Sequence, residues 1–133
     1  YHKVVRAGSN YELVTEGEES GRFFFQRPVI HLTQGESAYA FSSIFAPAEL
    51  RTNITHVWDR YDESEGRWKS ENRVSFGIFG GREEGYRGYS IKASPTPGFW
   101  RLTVETESGL IIGRSTFEVE RVAVAPSRVT VIK

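Results

Sequence analysis

The sequence predicts an all-β fold, an antiparallel sandwich of about eight strands. Three observations carry that expectation. β-Branched and aromatic residues recur in short runs; the runs alternate apolar and polar side chains with a period of two; and glycine, proline or polar clusters separate them at intervals of about ten residues. No helical period lies between the runs, which argues against a parallel sheet wound with helices. The spacing suits an immunoglobulin-like arrangement, with a small closed barrel as the alternative closure.

Taken in order, Tyr11–Thr15 is the first strand candidate, and the acidic stretch Glu16–Gly21 is the turn after it. Arg22–Leu32, interrupted by Pro28, reads as one broken strand or two short ones, because proline lacks the N–H a ladder needs. Ala38–Phe45 is a strand ending before Pro47, and Ala46–Thr52 has room for one helical turn but not for an independent helix. Ile54–Tyr61 is a strand, Asp62–Gly66 its polar turn, and Trp68 begins or precedes the return segment. Arg73–Phe79 alternates with Val74, Phe76 and Ile78 inward; Gly80–Gly85 is a loop before the strand Arg87–Ala93. Pro95–Gly98 is a rigid loop that delivers Trp100 into the core.

The clearest strand is Trp100–Thr106. Trp100, Leu102 and Val104 share one face, expected to be buried, and Arg101, Thr103 and Glu105 share the other, expected to face water. Glu107-Ser108-Gly109 turns it into a second alternating run through Ser115, Phe117 and Val119, an antiparallel hairpin. Arg128–Ile132 is a weaker terminal strand. The expected core is Phe41, Trp58, Phe76, Trp100, Leu102, Val104, Phe117 and Val119.

A chain of 133 residues fits a single domain spanning residues 1–133, large enough to hold a core without crosslinks. It has no cysteine, which removes disulfides, thiolate nucleophiles and zinc–cysteine clusters. Seventeen basic residues balance seventeen acidic ones, whereas a nucleic-acid binder draws its affinity from a basic excess. No nucleic-acid partner is expected. No apolar run approaches the roughly 18 residues of a membrane span, so this segment is not expected to cross a bilayer. The chain opens on Tyr1 and lacks methionine, as expected of a piece of a larger protein or a processed precursor, with targeting information upstream.

Six landmarks then appear in a fixed order: Tyr39-Ala40-Phe41; Ile54-Thr55-His56-Val57-Trp58; Tyr86-Arg87-Gly88-Tyr89-Ser90; Pro97 through Val104; Gly109-Leu110-Ile111-Ile112-Gly113; and Phe117-Glu118-Val119. From Ser37 to Val119, about two-thirds of the chain, this order resembles the bacterial domain of unknown function numbered twenty-nine-fourteen, found at the end of membrane-associated or periplasmic proteins. The resemblance implies an extracytoplasmic immunoglobulin-like sandwich, in the periplasm or cell envelope and tethered by an upstream membrane segment. It supplies no catalytic residues. The first 36 residues and the last dozen lie outside it, and the acidic hairpin after Trp58 departs from it.

Patterns that carry chemistry elsewhere are absent or isolated. His56 and Trp58 share a strand face, which suits a packed indole beside a hydrogen-bonded imidazole better than a metal ligand; His2 and His31 lie in separate segments with no ligand spacing. Glu18-Glu19 and Glu83-Glu84 are neighbours in glycine-flanked loops and point apart, unlike a glycosidase pair. No Gly-x-Ser-x-Gly elbow occurs, and the glycine-rich stretch Gly77–Gly88 lacks a phosphate loop's lysine and helix. Asn53-Ile54-Thr55 matches a glycosylation sequon by chance frequency.

What remains is a surplus of aromatic residues, 14% of the chain, more than one core should consume. Tyr61, Trp68, Tyr86, Tyr89 and Phe99 cannot all point inward, and Arg67, Arg82 and Arg87 flank them. The candidate surface is therefore Tyr61, Trp68, Arg82, Tyr86, Arg87, Tyr89 and Phe99. The expected function is a non-catalytic extracytoplasmic binding module, with no metal or cofactor, whose partner is a protein or another domain of its parent chain. The alternative is a carbohydrate-binding module with polysaccharide as ligand.

Overall fold

In the computed structural model, residues 1–16, 28–44, 50–80 and 86–133 are described, and they are all-β. The strands are β1 (Lys3–Ala7), β2 (Asn10–Glu16), β3 (Val29–Leu32), β4 (Ala38–Ile44), β5 (Leu50–Asp62), β6 (Arg67–Gly80), β7 (Tyr86–Lys92), β8 (Gly98–Thr106), β9 (Ile111–Arg121) and β10 (Arg128–Ile132). They pair into sheets of order β1-β2-β10, β3-β9-β8-β5-β6 and β4-β7. Residues 17–27, which hold the expected acidic turn and most of the first half of the Arg22–Leu32 segment, lie outside the described residues, as do 81–85 of the glycine loop. Residues 45–49, which hold the end of the expected Ala38–Phe45 strand and most of the expected helical turn, also lie outside the described residues, while Leu50–Thr52 already belong to β5.

By contacts the chain forms two compact units, one of Tyr1–Ala40, Ile91–Trp100 and Thr116–Lys133, the other of Phe41–Ser90 and Arg101–Ser115. In the first unit, β2 lies between β1 and β10, with Val4 opposite Leu13 and Val131 opposite Leu13 on its other side. Val4, Tyr11, Leu13, Leu32, Val119 and Trp100 are buried there. Burial of each large side chain contributes about 1.5–3 kcal/mol. The proline loop acts as expected: Pro95 is buried, and the Trp100 indole N–H donates to the Thr96 carbonyl at 2.8 Å, so the ring enters the core with its polar edge satisfied. One pairing differs from the antiparallel expectation. β3 runs parallel to β9, Val29 opposite Glu118 through Leu32 opposite Arg121. A period of two encodes which face is buried but not which way a neighbour runs, so direction was invisible in the pattern.

The second unit is built on the long β5–β6 hairpin, paired from Leu50 opposite Gly80 to Asp62 opposite Arg67. Ile54, Ile78 and Tyr86 form a buried cluster against which Ile44, Phe76 and Val104 pack. Val74, Phe76 and Ile78 turn inward as their parity predicts, while Arg73, Ser75 and Gly77 are exposed. β5 breaks the alternation, because all six residues from Ile54 to Asp59 are buried. β8 breaks it as well. Thr103, expected in water, is 2% exposed, and Leu102 and Val104 are only half-buried. β8 and β5 are both interior to their sheet's order, and the side of β8 that carries Arg101, Thr103 and Glu105 is covered by arginine side chains rather than by solvent. Of the expected core, Trp58, Trp100 and Val119 are fully buried, and Phe41, Phe76, Leu102, Val104 and Phe117 are half-buried.

Gly88 matters for what its neighbour occupies. A Cβ there would stand 2.6 Å from Phe76 Cε2, inside van der Waals contact. Trp100→Ala is expected to cost about 3–5 kcal/mol by urea unfolding; a loss below one would place the ring outside the core. Gly88→Ala is expected to cost about 1–3 kcal/mol. A double-mutant cycle with Phe76→Leu should recover part of that loss, since the smaller side chain vacates the contact.

Candidate functional site

The β5–β6 hairpin carries a bulge that decides where its aromatic residues point. Trp58 pairs with Asn72 and Asp59 with Ser70, so Glu71 is the extra residue. Without it, Trp68 would share the inward face of Val74 and Phe76. With it, Trp68 turns to the opposite face and meets Tyr61, its register partner, edge-on at 5.2 Å between centroids. Glu71 accepts a hydrogen bond from Arg60 Nε at 2.9 Å, which anchors the bulge.

Onto this face β8 sends Arg101. Its guanidinium carbon lies 4.6 Å from the Trp68 ring centroid, and its Nε and one terminal nitrogen donate to Asp59 Oδ2 at 3.2 and 3.0 Å. The planar cation is held by a buried carboxylate and stacked on an indole, a geometry lysine cannot reproduce. Beside it Arg114 Nε donates to Thr103 Oγ1 at 3.2 Å and Arg73 donates to Glu105 at 3.1 Å. The hairpin turn is also tied down: Lys69 meets Asp62 at 2.8 Å and Glu65 at 3.1 Å, while Ser64 N donates to Asp62 Oδ1. The bond from Lys69 holds the Asp62 carboxyl well below the usual carboxylate range.

Of the expected surface, the structure brings together Tyr61 and Trp68. Tyr86 must be corrected: at 4% exposure it belongs to the Ile54–Ile78 cluster and presents no surface. Arg87 and Phe99 are half-buried, Tyr89 is exposed, and Arg82 lies outside the described residues. Arg67 pairs with Glu65 on the turn rather than with an aromatic ring. The residues that sequence reasoning missed are Arg101 and Asp59. An arginine beside Trp100 at the start of an alternating strand was the available signal, and it was assigned to solvent.

A second feature lies inside the same unit. His56 is fully buried, with Ser42 Oγ 2.9 Å from Nε2 and Ser90 Oγ 2.7 Å from Nδ1; Ser90 Oγ also receives the Trp58 indole N–H at 3.0 Å. Phe76 meets the imidazole edge-on at 5.0 Å. The indole can only donate, so Ser90 Oγ accepts from Trp58, and the hydroxyl still has a proton and a second lone pair with which to meet Nδ1. With Ser42 at Nε2, both ring nitrogens of His56 are engaged by hydroxyl groups. Burial lowers the His56 pKa to about 4, consistent with a neutral ring.

The other two histidines converge in the first unit on one carboxylate. Glu16 Oε1 lies 3.0 Å from His2 Nε2 and accepts the His31 backbone N–H; Glu16 Oε2 lies 2.9 Å from His31 Nδ1, and Glu120 is 3.2 Å from His31 Nε2. Sequence spacing gave no hint of this, because β2, β3 and β9 supply the groups from distant positions. It staples β2 to β3. Among the described residues no group of three or more histidine, cysteine or carboxylate side chains is arranged to hold a metal ion. No helix among them is long and apolar enough to cross a membrane.

The two kinds of histidine bend the pH dependence of stability in opposite directions. His56 is neutral when folded but free to charge when unfolded, so its contribution is complete above about pH 6.5 and is lost as pH falls through about 4, some ~3 kcal/mol across that window. His31 is raised, chiefly by its bond to Glu16, so its contribution is complete below the unfolded value of 6.5 and fades as pH rises through the folded one. Urea titrations should show the acid slope flattened in His56→Asn and the alkaline slope flattened in His31→Gln. Identical slopes in wild type and His56→Asn would mean that the imidazole is solvated.

Comparison with known proteins adds a family. No curated protein matches the sequence. Among solved structures, the Pseudomonas fluorescens alkylpurine DNA glycosylase AlkC, bound to DNA containing an abasic site analog, is similar with a TM-score of 0.42 and 20% sequence identity. That similarity covers 69% of this chain and 27% of the glycosylase chain. Residues 51–119, from β5 into β9, match the family described as "Protein of unknown function (DUF2914)". Since that match takes in more than half of the sequence, the chain belongs to this family, a bacterial domain often found in membrane-associated or periplasmic proteins.

Proposed function

We propose that the chain is a non-catalytic binding module working outside the cytoplasm, and that its interaction surface is the face bearing Tyr61, Trp68 and Arg101. One observation carries the reading: Arg101 is locked over Trp68 by Asp59, beside Tyr61, on a hairpin whose turn is itself pinned by Lys69. Tryptophan, tyrosine and arginine are the side chains that dominate interface energetics, and fixing them before binding removes most of the ordering cost. The partner class is a protein or another domain of the parent chain, since a planar cation on an indole offers paired donors to a carboxylate. The family's association with membrane or periplasmic proteins supports the extracytoplasmic setting. An immunoglobulin-like closure of the strands belongs to the same reading, supported by their lengths and mostly antiparallel pairing.

The stacked guanidinium also weighs against polysaccharide, because it occupies one face of the indole a sugar ring would need. A photo-crosslinking residue placed at Tyr61 in the full-length parent should capture a parent domain or an envelope protein, and Trp68→Ala or Arg101→Lys should abolish capture. The same residue at Val129 should capture nothing. Binding on a glycan array that disappears in Trp68→Ala would establish the carbohydrate alternative instead. Capture unaffected by both substitutions would remove this face from consideration.

A further inference from the structure

A different part of the second unit raises a separate question. The β8–β9 turn and the first residues of β9 carry Leu110, Ile111 and Ile112 in succession, exposed by 64%, 49% and 42%. Consecutive residues of an extended chain point to opposite faces. A flat protein surface laid on one side of the hairpin would therefore leave part of this run in water, whereas a medium that surrounds the turn covers all of it.

The backbone of the turn suits such a medium. Thr106 N donates to the Leu110 carbonyl at 2.9 Å, Gly109 N donates to the Thr106 carbonyl at 2.9 Å, and Leu110 N donates to Thr106 Oγ1 at 3.1 Å. Thr106 Oγ1 and Ser108 Oγ are 3.0 Å apart. Gly109 supplies the positive φ, 88°, that closes this arrangement. Those three N–H groups and two carbonyls need no water, while Glu107 and Ser108 at the tip keep their backbone at headgroup level, so only the aliphatic side chains go deeper. Glu107 and Arg114 are exposed on either side of the aliphatic run and set a limit to depth. Their charges stay among headgroups while three aliphatic side chains reach the acyl boundary.

We propose that the β8–β9 turn inserts shallowly into a lipid surface through Leu110, Ile111 and Ile112. The contact is apolar, with one acid and one base flanking the run, so it requires no anionic lipid and resists salt. The chain lacks cysteine, and Ser108→Cys provides a single site for an environment-sensitive fluorophore. With phosphatidylcholine vesicles, the labelled chain should co-sediment and its emission should shift to the blue. Leu110→Ser/Ile111→Ser should weaken partitioning by about tenfold or more while leaving the urea midpoint unchanged, because both side chains are already exposed. Raising the salt concentration should change partitioning little.

Three results would overturn the proposal: no association with phosphatidylcholine vesicles, association undiminished in the double variant, or binding that appears only with phosphatidylglycerol and vanishes in salt. Concentration-dependent dimerisation by sedimentation velocity, abolished by the double variant, would also overturn it by identifying a second copy of the chain as the cover.

Discussion

The indole N–H of Trp58 has one thing it can do, and the interior of the β5–β6 unit is organised around that fact. It donates to Ser90, Ser90 is hydrogen-bonded to His56, and His56 to Ser42. Three strands are tied by one connected series: β7 through Ser90, β5 through Trp58 and His56, and β4 through Ser42. Removing any middle member would leave buried polar groups without partners, at about 1–3 kcal/mol for each. The neutral state of His56 follows from the same burial, and so does the position of Phe76, whose ring lies edge-on to the imidazole and against Gly88. Sequence landmarks that looked unrelated, the segment around Ile54–Trp58 and the segment around Tyr86–Ser90, are the two halves of this arrangement. Tyr86 packs with Ile54, Gly88 leaves room for Phe76, and Ser90 connects His56 to Trp58.

The opposite face of β5 is organised by a different kind of interaction. There the bulge at Glu71 rotates Trp68 out of the inward series, and arginines from β8, β9 and β6 lie across the sheet with their guanidinium groups fixed to Asp59, Thr103 and Glu105. Their aliphatic stems and planar heads cover area that a shorter polar residue would expose. This explains a balanced formal charge without a featureless surface. Positive and negative groups are matched locally, so what distinguishes this face is the placement of aromatic and planar groups rather than net potential. It also explains why Thr103 of β8 is buried, although its face also carries an arginine and a glutamate.

The aliphatic turn between β8 and β9 contrasts with both. Three of its backbone N–H groups are bonded within the turn, yet nothing among the described residues covers its aliphatic side chains to the extent that the cores around Trp58 and Trp100 are covered. The molecule therefore carries two surfaces of different character, one polar and aromatic with fixed geometry, the other a short aliphatic run.

Much of the all-β architecture was legible in the residues. Strong alternation in Arg73–Phe79 and turn chemistry at Asp62–Gly66 and Glu107–Gly109 located strands because local propensity and burial agree there. Arg128–Ile132 was placed to the residue. The interior role of Trp58, with His56 hydrogen-bonded beside it, was also readable, because an indole and an imidazole on one strand face need burial and partners. Other features had no local signature. The bulge that re-aims Trp68 is set by register across the β5–β6 hairpin, and the parallel direction of β3 against β9, the convergence of His2 and His31 on Glu16, and the capture of Arg101 by Asp59 each depend on a strand remote in sequence. Alternation records whether a side chain is hidden from water, and that is what the sequence by itself determined. Which partner hides it, and whether a charged residue meets solvent or a carboxylate, was decided only when distant strands came together, since hydrogen bonds and ion pairs are set by distances that no run of neighbouring residues contains.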